Sequence, residues 1–150
     1  MMLRRRTLLS LGAALVAAPV SGAVAGEPQP IAFDDLYAPG GSALGMKFSD
    51  RLLAAKGKSV VMRGFMAPPL KPESDFFVLT REPVAVCPFC AADAEWPSDI
   101  VVIYLRRVAP PTRFSDPIGV VGELDVGSFT DVVTGFVSQV RLLDATYRKL

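Results

Sequence analysis

Apolar residues cluster into five short runs in the second two-thirds of the chain, each bounded by proline, glycine or polar residues. Val60-Val61-Met62-Arg63-Gly64-Phe65-Met66 is the first, rich in β-branched residues and stopped by Pro68-Pro69. Phe76-Phe77-Val78-Leu79-Thr80 follows the turn-like Lys71-Pro72-Glu73-Ser74-Asp75. Ile100-Val101-Val102-Ile103-Tyr104-Leu105 is unbroken, as expected of a central strand buried on both faces. Residues 118–126 and 137–145 complete the set. All five read as strands. Gly119 and Gly122 predict a bend or bulge in the fourth. Upstream, residues 26–48 are punctuated by Pro28, Pro30, Pro39, Gly40, Gly41 and Gly45, with Phe33, Leu36 and Tyr37 placed to staple this lead-in to the domain. Ser49-Asp50 then offers an N-cap and a first-turn acid before Leu52-Leu53-Ala54-Ala55, and Gly57 ends a helix of two turns at most.

Short, glycine-bent strands with one short helix predict a mainly β fold, a small five-stranded, partly open barrel. The order of the pieces resembles an OB-fold. Its first strand carries V-x-x-x-G (Val60 to Gly64), and a late strand carries V-V-G-x-L (Val120 to Leu124) before a hairpin into the closing strand. Another small β-rich barrel or sandwich is the alternative. The expected organisation is a signal segment at 1–25, a lead-in and helix at 26–56, and the OB-like domain at 57–150.

The signal reading comes from the apolar stretch that does not fit the strand pattern. Arg4, Arg5 and Arg6 precede a run from Leu8 to Val20, and Ala23-Val24-Ala25 offers a small-x-small cleavage site. That run is too short and alanine-rich for a stable membrane span. Arg5-Arg6-Thr7-Leu8-Leu9 resembles the twin-arginine export signal; an ordinary secretory signal carrying three arginines is the alternative. No cysteine follows the cleavage site to take a lipid anchor. The expected location is the periplasm or the medium.

Charge then narrows the partners. The 150-residue chain has a net charge of +1, and losing residues 1–25 leaves 13 basic against 15 acidic residues, a net of −2. Such a domain lacks the electrostatic footprint for nucleic acid or an anionic membrane surface. The absence of histidine removes mechanisms built on a histidine base, nucleophile or metal ligand. Ser59, Ser74, Ser98 and Ser128 therefore have no catalytic partner of that kind, and no nucleophile elbow surrounds them. Asp34-Asp35 and the Asp93/Glu95 pair read as solvated acids, and Met46, Met62 and Met66 as core filling.

Candidate chemistry centres on Cys87-Pro88-Phe89-Cys90. A C-x-x-C pair closes a small ring and lowers the pKa of its first thiol, so one reading is a redox dithiol with Cys87 attacking. Glutaredoxin-like proteins carry a similar C-P-[YF]-C. The long helix and βαβ run of that fold are missing, since Pro97 follows within two turns. A structural disulfide is a second reading, the default in an oxidising compartment, although so short a loop constrains the unfolded chain little. A metal site is the third. Zinc would need Asp93 and Glu95, or a second copy's cysteines, to complete its ligands, whereas Cu(I) tolerates two thiolates.

Gly57-Lys58-Ser59-Val60-Val61-Met62-Arg63-Gly64-Phe65-Met66-Ala67-Pro68-Pro69-Leu70, then Phe76-Phe77-Val78-Leu79, Cys87 and an apolar strand, resemble a family of exported bacterial proteins of unknown function. The family pattern is G-x-x-V-x-x-x-G-[FY]-M-x-P-L, an F-x-L-x-P-like strand, and a cysteine in a proline-rich loop. The likeness covers residues 57–105. It departs after Cys87, where family members carry histidine and a proline run, so no histidine-dependent role transfers. The resemblance implies an exported β-barrel-like module, often encoded near transport functions, without an established reaction. Together these readings predict a periplasmic binding or accessory module with a protein partner, contacted through Met66, Pro68, Pro69, Leu70 and Trp96. Trp96 with Pro97 is also placed to lid the barrel end. No cofactor is implied beyond the metal alternative at Cys87 and Cys90, and the oligomeric state stays open.

Overall fold

The computed structural model describes residues 26–39, 45, 47–69, 75–85 and 97–150. Six strands alternate with turns: β1 (Gln29–Pro30), β2 (Ser59–Met66), β3 (Phe76–Thr80), β4 (Ile100–Leu105), β5 (Pro117–Thr130) and β6 (Val137–Lys149). A 3-10 turn (Phe33–Asp35) and helix α1 (Asp50–Ala55) precede β2. The described part holds no helix long and apolar enough to cross a membrane.

Strands β2, β3, β4, β6 and β5 pair in that order, and β5 pairs back onto β2. The result is a five-stranded ring of OB-like order, with β4 and β6 parallel and its other neighbours antiparallel. Inward positions follow the period-two rule. Val60, Met62 and Met66 of β2 meet Phe77 and Leu79 of β3, Val101 and Ile103 of β4, Val120 and Leu124 of β5, and Val140 and Leu142 of β6. The glycine signal in the fourth predicted strand marks a real irregularity. The β5–β6 register shifts between Val121 and Glu123, and Asp144 opposite takes φ 49°. A Cβ on Gly122 would lie 2.9 Å from the Leu143 carbonyl oxygen, so the strands approach there as only glycine allows.

The ring is least complete between β2 and β3, which are joined at Phe65–Thr80 and Met66–Leu79. Where β3 has turned away, β1 runs parallel to β2 at Val60 and Val61. The lead-in thus belongs to the barrel itself. Ile31, Phe33 and Leu36 are buried in the same core, as are Leu52 and Ala55 of α1. Tyr37 stacks on Phe48 at 5.7 Å. The Ser49 hydroxyl accepts from Leu52 N at 3.0 Å and donates to the Asp35 carbonyl, which ties the helix cap to the 3-10 turn.

Two features exceed the expected strands. β5 runs on to Thr130, where its exposed end pairs with the start of β6 in a hairpin. β6 runs on to Lys149, where its mostly exposed last residues pair with Ile118 to Val121 at the start of β5. Neither extension carries an apolar run. β1 is two exposed residues long and carries no hydrophobic signal.

Candidate functional site

Of the residues expected to make contacts or carry chemistry, Leu70, Cys87, Cys90 and Trp96 lie outside the described residues, as do Asp93 and Glu95. Met66 corrects the expected contact surface. Its side chain is 2% exposed, because it continues the inward alternation of Val60 and Met62 and packs in the barrel core. Ala67 is buried too, its N–H bonded to the Val78 carbonyl at 2.9 Å, and Pro68 and Pro69 are half-buried. The period-two rule applied through residue 66 already contains this answer.

Exposed apolar surface gathers instead at the β5–β6 hairpin. Val132 is 95% exposed and Val133 89%, with Phe129 and Val137 exposed beside them. Asp131 builds the turn that holds them out. Its Oδ1 accepts from Val133 N at 3.0 Å, Thr134 N at 2.8 Å and the Thr134 hydroxyl at 2.9 Å. Its backbone closes the loop through Asp131 N to Phe136 O and Gly135 N to Asp131 O, both 2.8 Å, with Gly135 at φ 73°. Aspartate accepts such local bonds readily, and glycine supplies the left-handed residue.

The hairpin is anchored to the outer face of β3 and β4. The Tyr104 hydroxyl donates to Asp131 Oδ2 at 3.3 Å. Phe76 packs against Tyr104 at 5.5 Å and Phe136 at 5.8 Å, and Phe129 meets Tyr104 edge-on at 6.3 Å. Arg141 lies over the Phe129 ring at 4.8 Å, pairs with Asp125, and donates to Gly127 O at 2.8 Å and to Ser138 O and Oγ at 3.2 Å. Beneath this wall, Ala67, Val78 and Ile100 form a second small core, with Val84 and Phe136 packed on it. The hydrogen bonds from Thr134 hold the Asp131 carboxyl below the usual carboxylate range. Burial, followed by the Asp131 charge and hydrogen bond, pushes Tyr104 up to about 12. The Tyr104–Asp131 contact is therefore neutral donor to carboxylate at any physiological pH.

In OB-folds the face of the second and third barrel strands and the loop between the fourth and fifth carry ligand binding. The aromatic wall and the hairpin tip occupy that position here. The wall presents rings and methyl groups in a fixed frame, which suits recognition of an apolar or aromatic surface. Among the described residues no three metal-ligating side chains stand together. Val132, Val133, Phe129 and Tyr104 were not singled out from sequence; the available signal was Val132-Val133 next to Thr134-Gly135, an apolar pair inside a turn.

The ring order defines the class, an OB-like β-barrel. No protein-family model and no curated protein sequence matches the chain. Among solved structures, it is similar to a DUF3299 family protein from Pseudomonas aeruginosa PAO1, at 14% identity and a TM-score of 0.54, over 83% of this chain and 97% of that one. This likeness is one of fold.

Proposed function

We propose that the protein is an exported, periplasmic OB-like binding module that works as an accessory to a membrane or transport system and grips a protein partner with its β5–β6 hairpin. The observation that carries the reading is the pair Val132 and Val133, held in water on a turn that Asp131 fixes. Two adjacent β-branched side chains gain nothing there from the fold, and their burial against a partner contributes roughly 1.5–3 kcal/mol each. The net charge of −2 without the leader favours a protein over nucleic acid.

Site-specific photocrosslinking in the native periplasm tests this. A crosslinker at position 132 or 133 should give one discrete adduct, absent when the crosslinker replaces Glu123 on the barrel side. The adduct should disappear when the other valine of the pair is changed to lysine. No adduct, or the same adduct from position 123, overturns the reading. A second reading rests on the Cys87-Pro88-Phe89-Cys90 motif: a thiol oxidoreductase or a copper or zinc carrier, for which metal bound stoichiometrically by the reduced protein and lost in Cys87→Ser would favour the carrier.

A further inference from the structure

The gap in the ring creates a second site, on a different face from the hairpin. Below the Phe65–Thr80 pair, β3 leaves β2, and the lead-in fills the seam incompletely. A cleft of about 470 Å³ remains, within the range of small-molecule sites. Its apolar lining is Ile31, Phe33 and Val61, and Arg51, Arg63 and Arg81 surround it with Asp34 and Asp35.

The charges do not balance. Arg81 pairs with Asp34, and its guanidinium lies 5.9 Å from the centre of the Phe33 ring. Arg51 pairs with Asp35 at 3.5 Å and donates to Pro30 O at 3.1 Å. Asp35 also accepts from Ala32 N at 2.9 Å. Arg63 has no ion pair or hydrogen-bonding side chain among the described residues, and it is exposed. Its neighbour on β5 is Gly119, which offers no side chain to compensate it, and the residue beyond that on β6 is Arg148, a like charge. One positive charge is left over at the mouth of an apolar cleft, in a domain whose net charge without the leader is negative. Overall basicity does not explain it.

We propose that this cleft binds a small organic anion, with the carboxylate or phosphate group on Arg63 and a short apolar part against Val61, Ile31 and Phe33. The planar guanidinium matches both anions in a two-point grip. The Asp34–Arg81 and Asp35–Arg51 pairs hold the walls, which leaves Arg63 as the unpaired cation of the cleft lining.

The test uses the mature protein with phenyl phosphate, benzoate and inorganic phosphate as probes, titrated by calorimetry, and sedimentation with phosphatidylglycerol vesicles. Arg63→Gln should keep the thermal midpoint, since the side chain is exposed and makes no ion pair or side-chain hydrogen bond among the described residues. Phenyl phosphate or benzoate should bind, and Arg63→Gln should weaken binding by roughly tenfold or more, the loss of a charged hydrogen bond. Arg113→Gln, an exposed arginine in the segment before β5 that does not line the cleft, should leave the affinity unchanged. Vesicle binding that depends on Arg63, without binding of the soluble probes, supports the anion site and assigns the anion to a lipid headgroup. Inorganic phosphate bound as tightly as phenyl phosphate refutes the apolar half of the site. No binding in any arm, or equal affinity in Arg63→Gln, overturns the proposal, and neither result bears on the hairpin.

Discussion

Replacing Gly64 by alanine probes the weakest joint of the barrel. Gly64 points inward on β2, and a Cβ there would lie 2.5 Å from the Thr80 carbonyl oxygen and 3.1 Å from Leu79 Cγ. The first of these atoms is backbone, so no rotamer change relieves the clash. An ordinary tight contact of 3.0–3.4 Å requires β2 and β3 to separate by roughly 0.5–0.9 Å. That movement falls on the seam held by Phe65–Thr80 and Met66–Leu79, and it strains the bond from the Thr80 hydroxyl to Phe65 O at 3.2 Å. Overpacking costs about 1–3 kcal/mol, and a lost hydrogen bond about 1 kcal/mol more. Reduced freedom of the unfolded chain returns about 0.4–1 kcal/mol. The net loss is about 1–3.5 kcal/mol, a lowering of the melting temperature by roughly 3–14 °C for a domain of this size. Thermal unfolding followed by circular dichroism measures it, with Gly26→Ala as the control because nothing lies within 4 Å of its Cβ position. A Gly64→Ala protein that melts within about 2 °C of the parent would refute the reasoning.

Ile103→Ala removes a fully buried side chain from the central strand and should cost about 2–5 kcal/mol in urea unfolding; a loss below 1 kcal/mol would mean that β4 is not at the centre of the core. Tyr104 should ionise near pH 12, against an ordinary 10.0, when followed by tyrosinate absorbance. Because the folded state holds that proton longer than the unfolded state does, this contribution is complete below pH 10 and stability falls as the pH rises from about 10 to 12. Asp131→Asn should move the ionisation downward yet leave it above the ordinary value, since burial is the larger cause; no movement would detach Asp131 from Tyr104. For Cys87 and Cys90, a structural bridge should have a reduction potential below about −300 mV and an active dithiol one well above it, which equilibration in glutathione and thioredoxin buffers distinguishes.

The strands were legible because apolar side chains that alternate or run unbroken have few other uses. Residues 100–105 read as a doubly buried strand, and β4 is one, paired on both sides and covered at Ile100 and Val102 on its outer face. The helix was legible from its cap, Ser49, and its stop, Gly57 at φ 76°. The functional surfaces were harder. Met66 was read both as core filling and as a contact residue, and strand alternation decides for the core. The hairpin tip and the arginine cleft depend on residues far apart in sequence. Arg63, Arg81 and Asp34 share a mouth only because β3 leaves β2 and the lead-in returns to fill the seam. No local pattern records that event.

The parallel pairing of β4 with β6 also sets the order in which the barrel can be made. Val102 lies beside Arg141 and Ile103 beside Leu142, so the most apolar strand waits for a partner about forty residues further along the chain. In a chain made N-terminus first, β2, β3 and β4 are available as an unsealed sheet before β6, and long-range pairing of this kind is slow. Until β6 arrives, the β4 edge is a ready template for aggregation.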